Sequence, residues 1–210
     1  MADFTKIYPT LIKWEGFYAN DKNDPGGETY MGIARKFNPT WPGWAIIDQY
    51  KREHGGTIPT NTEIKDPKLY QLVYDRAYQY FQNIYGNQIK SDAIATIAIQ
   101  LYWGTAAGIK NVIQQAAKNL GANIAADNVF GMETLAAINK LPEKPLYEEI
   151  KRLYVDYFTR LGKNQPQYAA GWMNRVKYVI NKADSFIKST PGIVTITLIA
   201  GVTLFLIAKK

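Results

Sequence analysis

The sequence predicts a mainly helical, all-α protein with a transmembrane helix at its C-terminus, and three observations predict it. First, apolar residues recur three and four positions apart in several stretches: Phe4, Ile7, Leu11 and Trp14; Leu69, Leu72, Val73, Ala77, Tyr80 and Phe81; Tyr147, Ile150, Leu153, Tyr154, Tyr157, Phe158 and Leu161. Second, Ile94, Ile97, Ala98 and Leu101, with Ala93, make one stretch apolar on nearly every side, the pattern of a central buried helix. Third, Gly192 to Ala208 is an uncharged run that at about 1.5 Å per residue reaches roughly 25 Å, the lower limit for a spanning helix.

Taken in order, the chain opens with a helix kept short by Pro9, which fits only in a first turn, and weakened by Gly16. A polar loop around Asp21 and Asp24 follows, with the turn Pro25-Gly26-Gly27 and then Thr29 and Gly32, and a small β-hairpin fits there. Ile33 to Phe37 reads as a brief helix, broken by Asn38-Pro39-Thr40-Trp41-Pro42-Gly43. Ala45 to Arg52 reads as another short helix, and the lone His54 as a loop residue beside Gly55-Gly56. Asp66 caps a firmer helix whose first position is Pro67. Ser91 or Asp92 starts the buried one. Helices follow over Gly108 to Leu120, Thr134 to Asn139 and, after an interruption at Pro142 to Pro145, Tyr147 to Leu161 (closed by Gly162), with a final one carrying Trp172, Val176, Val179, Ile180, Ala183 and Ile187.

Composition narrows the function. The 210 residues carry a formal net charge of +7, which suits a polyanion such as nucleic acid, anionic lipid or an anionic cell wall. The Lys and Arg residues are spread out, so no nucleic-acid module is expected. With no Cys and one His, neither a disulfide, a thiolate centre nor a zinc cluster is expected, and no metal or cofactor. Met1 to Lys6 lacks the pattern of a secretory signal. Lys188, Lys209 and Lys210 flank the terminal apolar run and can reach lipid headgroups, so residues 191–210 are expected to bind membrane lipid as an anchor; a buried strand or core helix is the other reading.

The chemistry concentrates in Trp14 to Ile33. Glu15 lies at a helix end beside an apolar stripe, where burial against Trp14 or Phe17 would let a carboxyl hold a proton. Asp21 and Asp24 stand in a wetter loop and suit an ionised partner. A glycosidase needs two such carboxyls, although the same residues also suit a solvated surface loop. Trp41 and Trp44 suit either a sugar subsite or an anchor pinning a loop to the core.

The run Glu15-Gly16-Phe17-Tyr18, then Asp24-Pro25-Gly26-Gly27, Thr29 and Gly32-Ile33, resembles the signature of glycoside hydrolase family 108, a group of bacterial and phage N-acetylmuramidases. Phe17 stands where that family has a second glycine. The spacing of Glu15, Asp24 and Thr29 also resembles the phage-type lysozymes. The resemblance implies a lysozyme-like fold and a peptidoglycan substrate. It gives Glu15, Asp24 and Thr29 catalytic roles and matches Tyr18 and Arg76 to family positions; with Asp21, Gly27, Trp41 and Trp44 these two are the residues expected at the substrate. Arg76 also reads as a salt-bridged helix residue.

Beyond residue 100, Asp127-Asn128-Val129-Phe130-Gly131-Met132-Glu133-Thr134 resembles a turn in the helical peptidoglycan-binding domain that follows the family's catalytic part, with Asn128 left-handed where the family has Gly. Gly171-Trp172-Met173-Asn174-Arg175-Val176 resembles its closing Gly-Trp-Xaa-Xaa-Arg-Val. The expected organisation is therefore a muramidase domain over 1–100, a wall-binding-like helical domain over 101–188 and a transmembrane helix over 191–208. The expected activity is hydrolysis of the β-1,4 bond between N-acetylmuramic acid and N-acetylglucosamine by a membrane-associated enzyme. A lytic transglycosylase, a wall-binding protein without catalysis and a holin-like pore are the alternatives.

Overall fold

The computed structural model describes residues 1–21, 26–104 and 108–187. Eight α-helices and three short strands occur in the order α1 (Phe4–Ile12), β1 (Tyr18–Asn20), β2 (Glu28–Tyr30), β3 (Ile33–Ala34), α2 (Gly43–Glu53), α3 (Pro67–Asn83), α4 (Asp92–Gly104), α5 (Gln115–Asn119), α6 (Met132–Lys140), α7 (Glu143–Asn164) and α8 (Pro166–Asp184). The expected transmembrane helix and its flanking lysines lie outside the described residues. Among the described residues, no helix is long and apolar enough to cross a membrane.

Every residue of α4 from Ala93 to Leu101 is buried. A helix with no polar face needs apolar neighbours all round, and α4 has them in α1, α3, α7, α8 and the segment Ile109–Gln114. The main core therefore draws on nearly the whole described chain, from Phe4, Ile7 and Leu11 through Ala77 and Phe81 to Val176, Val179 and Ala183. Phe4 fixes α1 on α3 through ring contacts with Tyr74, Tyr78 and Phe81 at 5.2, 5.3 and 4.9 Å.

A smaller core lies under the sheet: Tyr18, Tyr30 and Ile33 with Trp41, Trp44, Ile47, Ile58, Ile64, Leu69 and Val73. Helix α3 serves both cores, Leu69 and Val73 in one, Ala77 and Phe81 in the other. The strands form an antiparallel sheet in the order β1-β2-β3, with Tyr18 opposite Tyr30 and Tyr30 opposite Ile33.

Several expectations hold locally. The Asp66 side chain accepts from the Leu69 N–H at 2.9 Å and Pro67 opens α3. Asn128 is left-handed at φ 70°. Others are corrected. Ile33 to Phe37 is a strand followed by turns rather than a brief helix, because Ile33 is needed as the partner of Tyr30 in the small core. Pro9 sits inside α1, past its first turn; the Asp3 cap and the burial of Phe4, Ile7 and Leu11 hold the helix despite the missing donor. The expected α-helix over Gly108 to Leu120 begins as a π-helix, Ile109–Gln114, before α5. Pro145 lies in the first turn of α7, where a missing N–H leaves no intrahelical bond unmade. Gly162 does not end α7. It is buried where α7 and α8 touch, and a Cβ there would lie 2.9 Å from the Ala169 Cβ.

Gln114, buried at the end of the π-helix, ties down the turn before α6. Its amide donates to Asp127 Oδ1 at 2.9 Å and to the Val129 carbonyl at 3.1 Å, while its Oε1 accepts from the N–H groups of Asp127 and Asn128 at 3.0 and 3.1 Å. The bond from Gln114 holds the Asp127 carboxyl below its ordinary range. Gln114→Leu is expected to leave these groups unpaired and lower stability by about 2–4 kcal/mol, read as a lower urea midpoint with unchanged slope.

Candidate active site

Helix α1 stops at Ile12 and the Glu15 N–H still bonds the Ile12 carbonyl at 3.1 Å, so Glu15 projects just beyond the helix end. Its side chain is 13% exposed and its carboxyl lies in an ion pair: Arg175 of α8 donates from Nη2 to Glu15 Oε1 at 2.7 Å. Gln100 of α4 accepts from the same guanidinium, from Nε at 3.2 Å and Nη2 at 2.9 Å. Its amide nitrogen donates to the Thr10 carbonyl in α1 at 3.0 Å.

The other carboxyl oxygen faces Gly32. This glycine is left-handed at φ +79°, and a Cβ on it would meet Glu15 Oε2 and Trp103 Nε1, each at 2.6 Å. Trp103, near the end of α4, stands edge-on to Tyr80 of α3 with centroids 5.0 Å apart. From there a small recess is lined by Gly32, Ile33, Asn38, Arg76, Tyr80 and Trp103. Through Asn38 and Arg76 it adjoins a larger one of about 380 Å³, lined also by Phe37, Thr40, Trp41, Asp75 and Gln79. That volume falls within the range of small-molecule pockets. Phe37 is strongly exposed at its rim.

Arg76 bridges the two recesses. It donates to Asn38 Oδ1 and to Gln79 Oε1, and its guanidinium lies 4.9 Å from the Tyr80 ring centre. Trp41 and Trp44 are buried and edge-on to each other, with their indole N–H groups on the carbonyls of Leu72 and Asn38. Both indoles thus pin the loop to α3 and to itself, and Trp41 also borders the larger recess. Trp14 is exposed and edge-on to Tyr178 of α8.

In the loop, Asp21 is exposed and Asp24 lies outside the described residues. The Thr29 hydroxyl donates to the Gly27 carbonyl at 3.2 Å, and Gly27 is left-handed at φ 64°. Side chains alternate along a strand, so Thr29 points away from the face that carries Glu28 and Tyr30. On that opposite face the Tyr18 hydroxyl donates to Glu28 Oε1 at 2.9 Å, and Glu28 also pairs with Lys51 and with Arg35, the latter at 2.6 Å. Burial, and then the bond to Glu28, push the Tyr18 phenol up. Arg35 further binds Asp48 and holds its carboxyl below the ordinary range. Tyr18 and Glu28 thus belong to the network bracing the sheet on α2. Among the described residues, no group of His, Asp or Glu side chains could hold a metal ion.

The sequence motif singles out Glu15, whereas Arg175, Gln100, Gly32 and Trp103 join it only in the folded structure. Two signals for them were present. Gln100 is an amide inside an otherwise apolar helix, and Arg175 belongs to the closing Gly-Trp-Xaa-Xaa-Arg-Val.

A largely buried Glu close to an aromatic-lined recess, on a helical scaffold with a small sheet, suits a glycoside hydrolase, and the family comparison shows this protein to be one. Residues 8–108, just under half of the chain, match the family model Glycosyl hydrolase 108. The solved structure of Brucella abortus SagA has a similar fold, with a TM-score of 0.59 and 21% identity over 89% of this chain and 97% of that one. No curated protein matches the sequence.

Gly32→Ala tests the packing against the acid. The added methyl is expected to displace Glu15 or Trp103 and lower turnover about 100-fold, with left-handed strain of about 1–3 kcal/mol. Gly55 has φ +78° with nothing within 4 Å. Gly55→Ala should therefore show strain in thermal unfolding without the loss of turnover.

Proposed function

We propose that the protein hydrolyses peptidoglycan at the β-1,4 bond between N-acetylmuramic acid and N-acetylglucosamine, with Glu15 as general acid. One observation carries the reading: within the glycosyl hydrolase 108 domain, Glu15 is held by Arg175 on one oxygen and turns the other toward Gly32 and Trp103 at the cleft. The net charge of +7 suits an anionic wall polymer.

In this mechanism a proton on Glu15 Oε2 passes to the glycosidic oxygen as the C1–O bond breaks, and the bonding pair stays with that oxygen. Water adds to C1 and gives a proton to the carboxylate of Asp24, oriented with the help of Thr29. The products are a new reducing end and a free 4-hydroxyl. Inversion is the expected outcome, the course taken by glycosidases whose carboxyl pairs are about 6.5–9.5 Å apart. Tyr80, Arg76 and Phe37 offer planar and hydrogen-bonding surfaces to the sugar units beside the scissile bond.

Glu15→Gln is expected to abolish release of fragments from purified wall while the melting temperature stays close to that of the native protein. Mass analysis of the wild-type digest should find reducing-end muropeptides. Products lighter by one water, with an anhydro end, would assign the enzyme to the lytic transglycosylases instead. Asp24→Asn should impair turnover more than Asp21→Asn; the reverse order would exchange their roles.

A further inference from the structure

We propose that Arg175 is the positioning residue of the general acid, so that helix α8, beyond the matched segment 8–108, completes the catalytic centre. The inference rests on the assignment of Glu15 above. Its support is a chain of hydrogen bonds that leaves each group one orientation. The Thr10 carbonyl can only accept, so the Gln100 amide nitrogen must face it and the Gln100 Oε1 must face Arg175. Arg175 then has its Nε–H and one Nη2 proton directed at Gln100, and Nη2 carries the second proton to Glu15 Oε1. The planar guanidinium turns as one body, so fixing it on Gln100 fixes the contact on Glu15.

Two consequences follow for the chemistry. The hold on Oε1 assigns the proton-bearing role to Oε2, the oxygen beside Gly32 and Trp103. When that proton leaves for the glycosidic oxygen, the remaining carboxylate already has its cation and its geometry, so no reorganisation accompanies charge development. Gln100 and Arg175 lie on α4 and α8, which pack against each other. The helical segment after residue 108 therefore has a part in the cleavage step, whatever else it binds.

The test measures kcat and KM on solubilised peptidoglycan strands with full-length protein, together with melting temperature. The variants are Glu15→Gln, Arg175→Ala, Arg175→Lys and Gln100→Leu. Arg175→Ala is expected to lose about 100-fold or more in kcat with KM little changed, because misplacing a catalytic group by an ångström costs on that order. Arg175→Lys keeps the charge without the fork and should fall between wild type and Ala. Gln100→Leu should lower kcat less than Arg175→Ala. Added guanidinium ion, at concentrations that leave the fold intact, should restore Arg175→Ala by about tenfold or more and leave Glu15→Gln inactive. Wild-type kcat in Arg175→Ala would overturn the inference, while an active wild type and an inactive Glu15→Gln would leave the Glu15 assignment standing. A loss in Arg175→Ala that follows its melting temperature, is shared equally by Arg175→Lys and ignores guanidinium would also overturn it, as the mark of a merely structural residue. If Arg175→Ala fails to fold, Arg175→Lys and Gln100→Leu decide: unchanged kcat in both refutes the role. Wild-type protein that releases no fragments would instead remove the enzymatic reading itself.

Discussion

Burial of α4 on all sides is the constraint on which the architecture depends. A helix reading Asp-Ala-Ile-Ala-Thr-Ile-Ala-Ile-Gln-Leu has no face to offer water. It must be enclosed by α1 and α3 from the first half of the chain and by α7 and α8 from the second. The small residues Ala93, Ala95 and Ala98 alternate with larger ones, which gives the surrounding helices room to approach. An apolar helix of this kind brings the chain's two halves onto a single core.

The same helix carries a buried polar residue that connects the core to Glu15. Gln100, in α4, is almost fully buried, and a buried amide must be satisfied or it destabilises the fold. Its partners are a carbonyl of α1 and the guanidinium of α8, the two elements that present Glu15 and its counter-charge. Packing and polar satisfaction thus specify one arrangement together. A largely buried carboxylate without a cation would be costly, and the cation is itself anchored by the core.

The helices were legible because their apolar spacing is set by the period of the helix itself. The α3 start was legible through Asp66 and Pro67, and the turn before α6 through the left-handed Asn128. Ile33 was misread because three or four residues of mixed polarity have no clear period. Only pairing with Tyr30, a tertiary fact, makes Ile33 a strand residue. The limits of α7 were misread because Pro145 and Gly162 look like breaks, whereas one occupies a tolerant first turn and the other a close helix crossing. In the candidate site, Glu15 was singled out by its motif. Its surroundings were not, since Arg175 lies 160 positions away and no local pattern encodes that distance. Trp41 and Trp44 show the complementary difficulty: indoles suit sugars and cores alike, and here their N–H groups go to backbone carbonyls.

The long separation of Glu15 from Arg175 bears on how the protein is made. A ribosome that has finished the first 108 residues has produced the acid, the loop and the aromatic cleft, but not the cation that faces Glu15. Until α8 emerges and docks on α4, that carboxylate has to find its stabilisation in water, and the exposed sides of α4 remain uncovered. Docking of the last helix thus brings the Arg175–Glu15 pair together and covers one side of α4 at once, and a chain interrupted before residue 175 has no such pair.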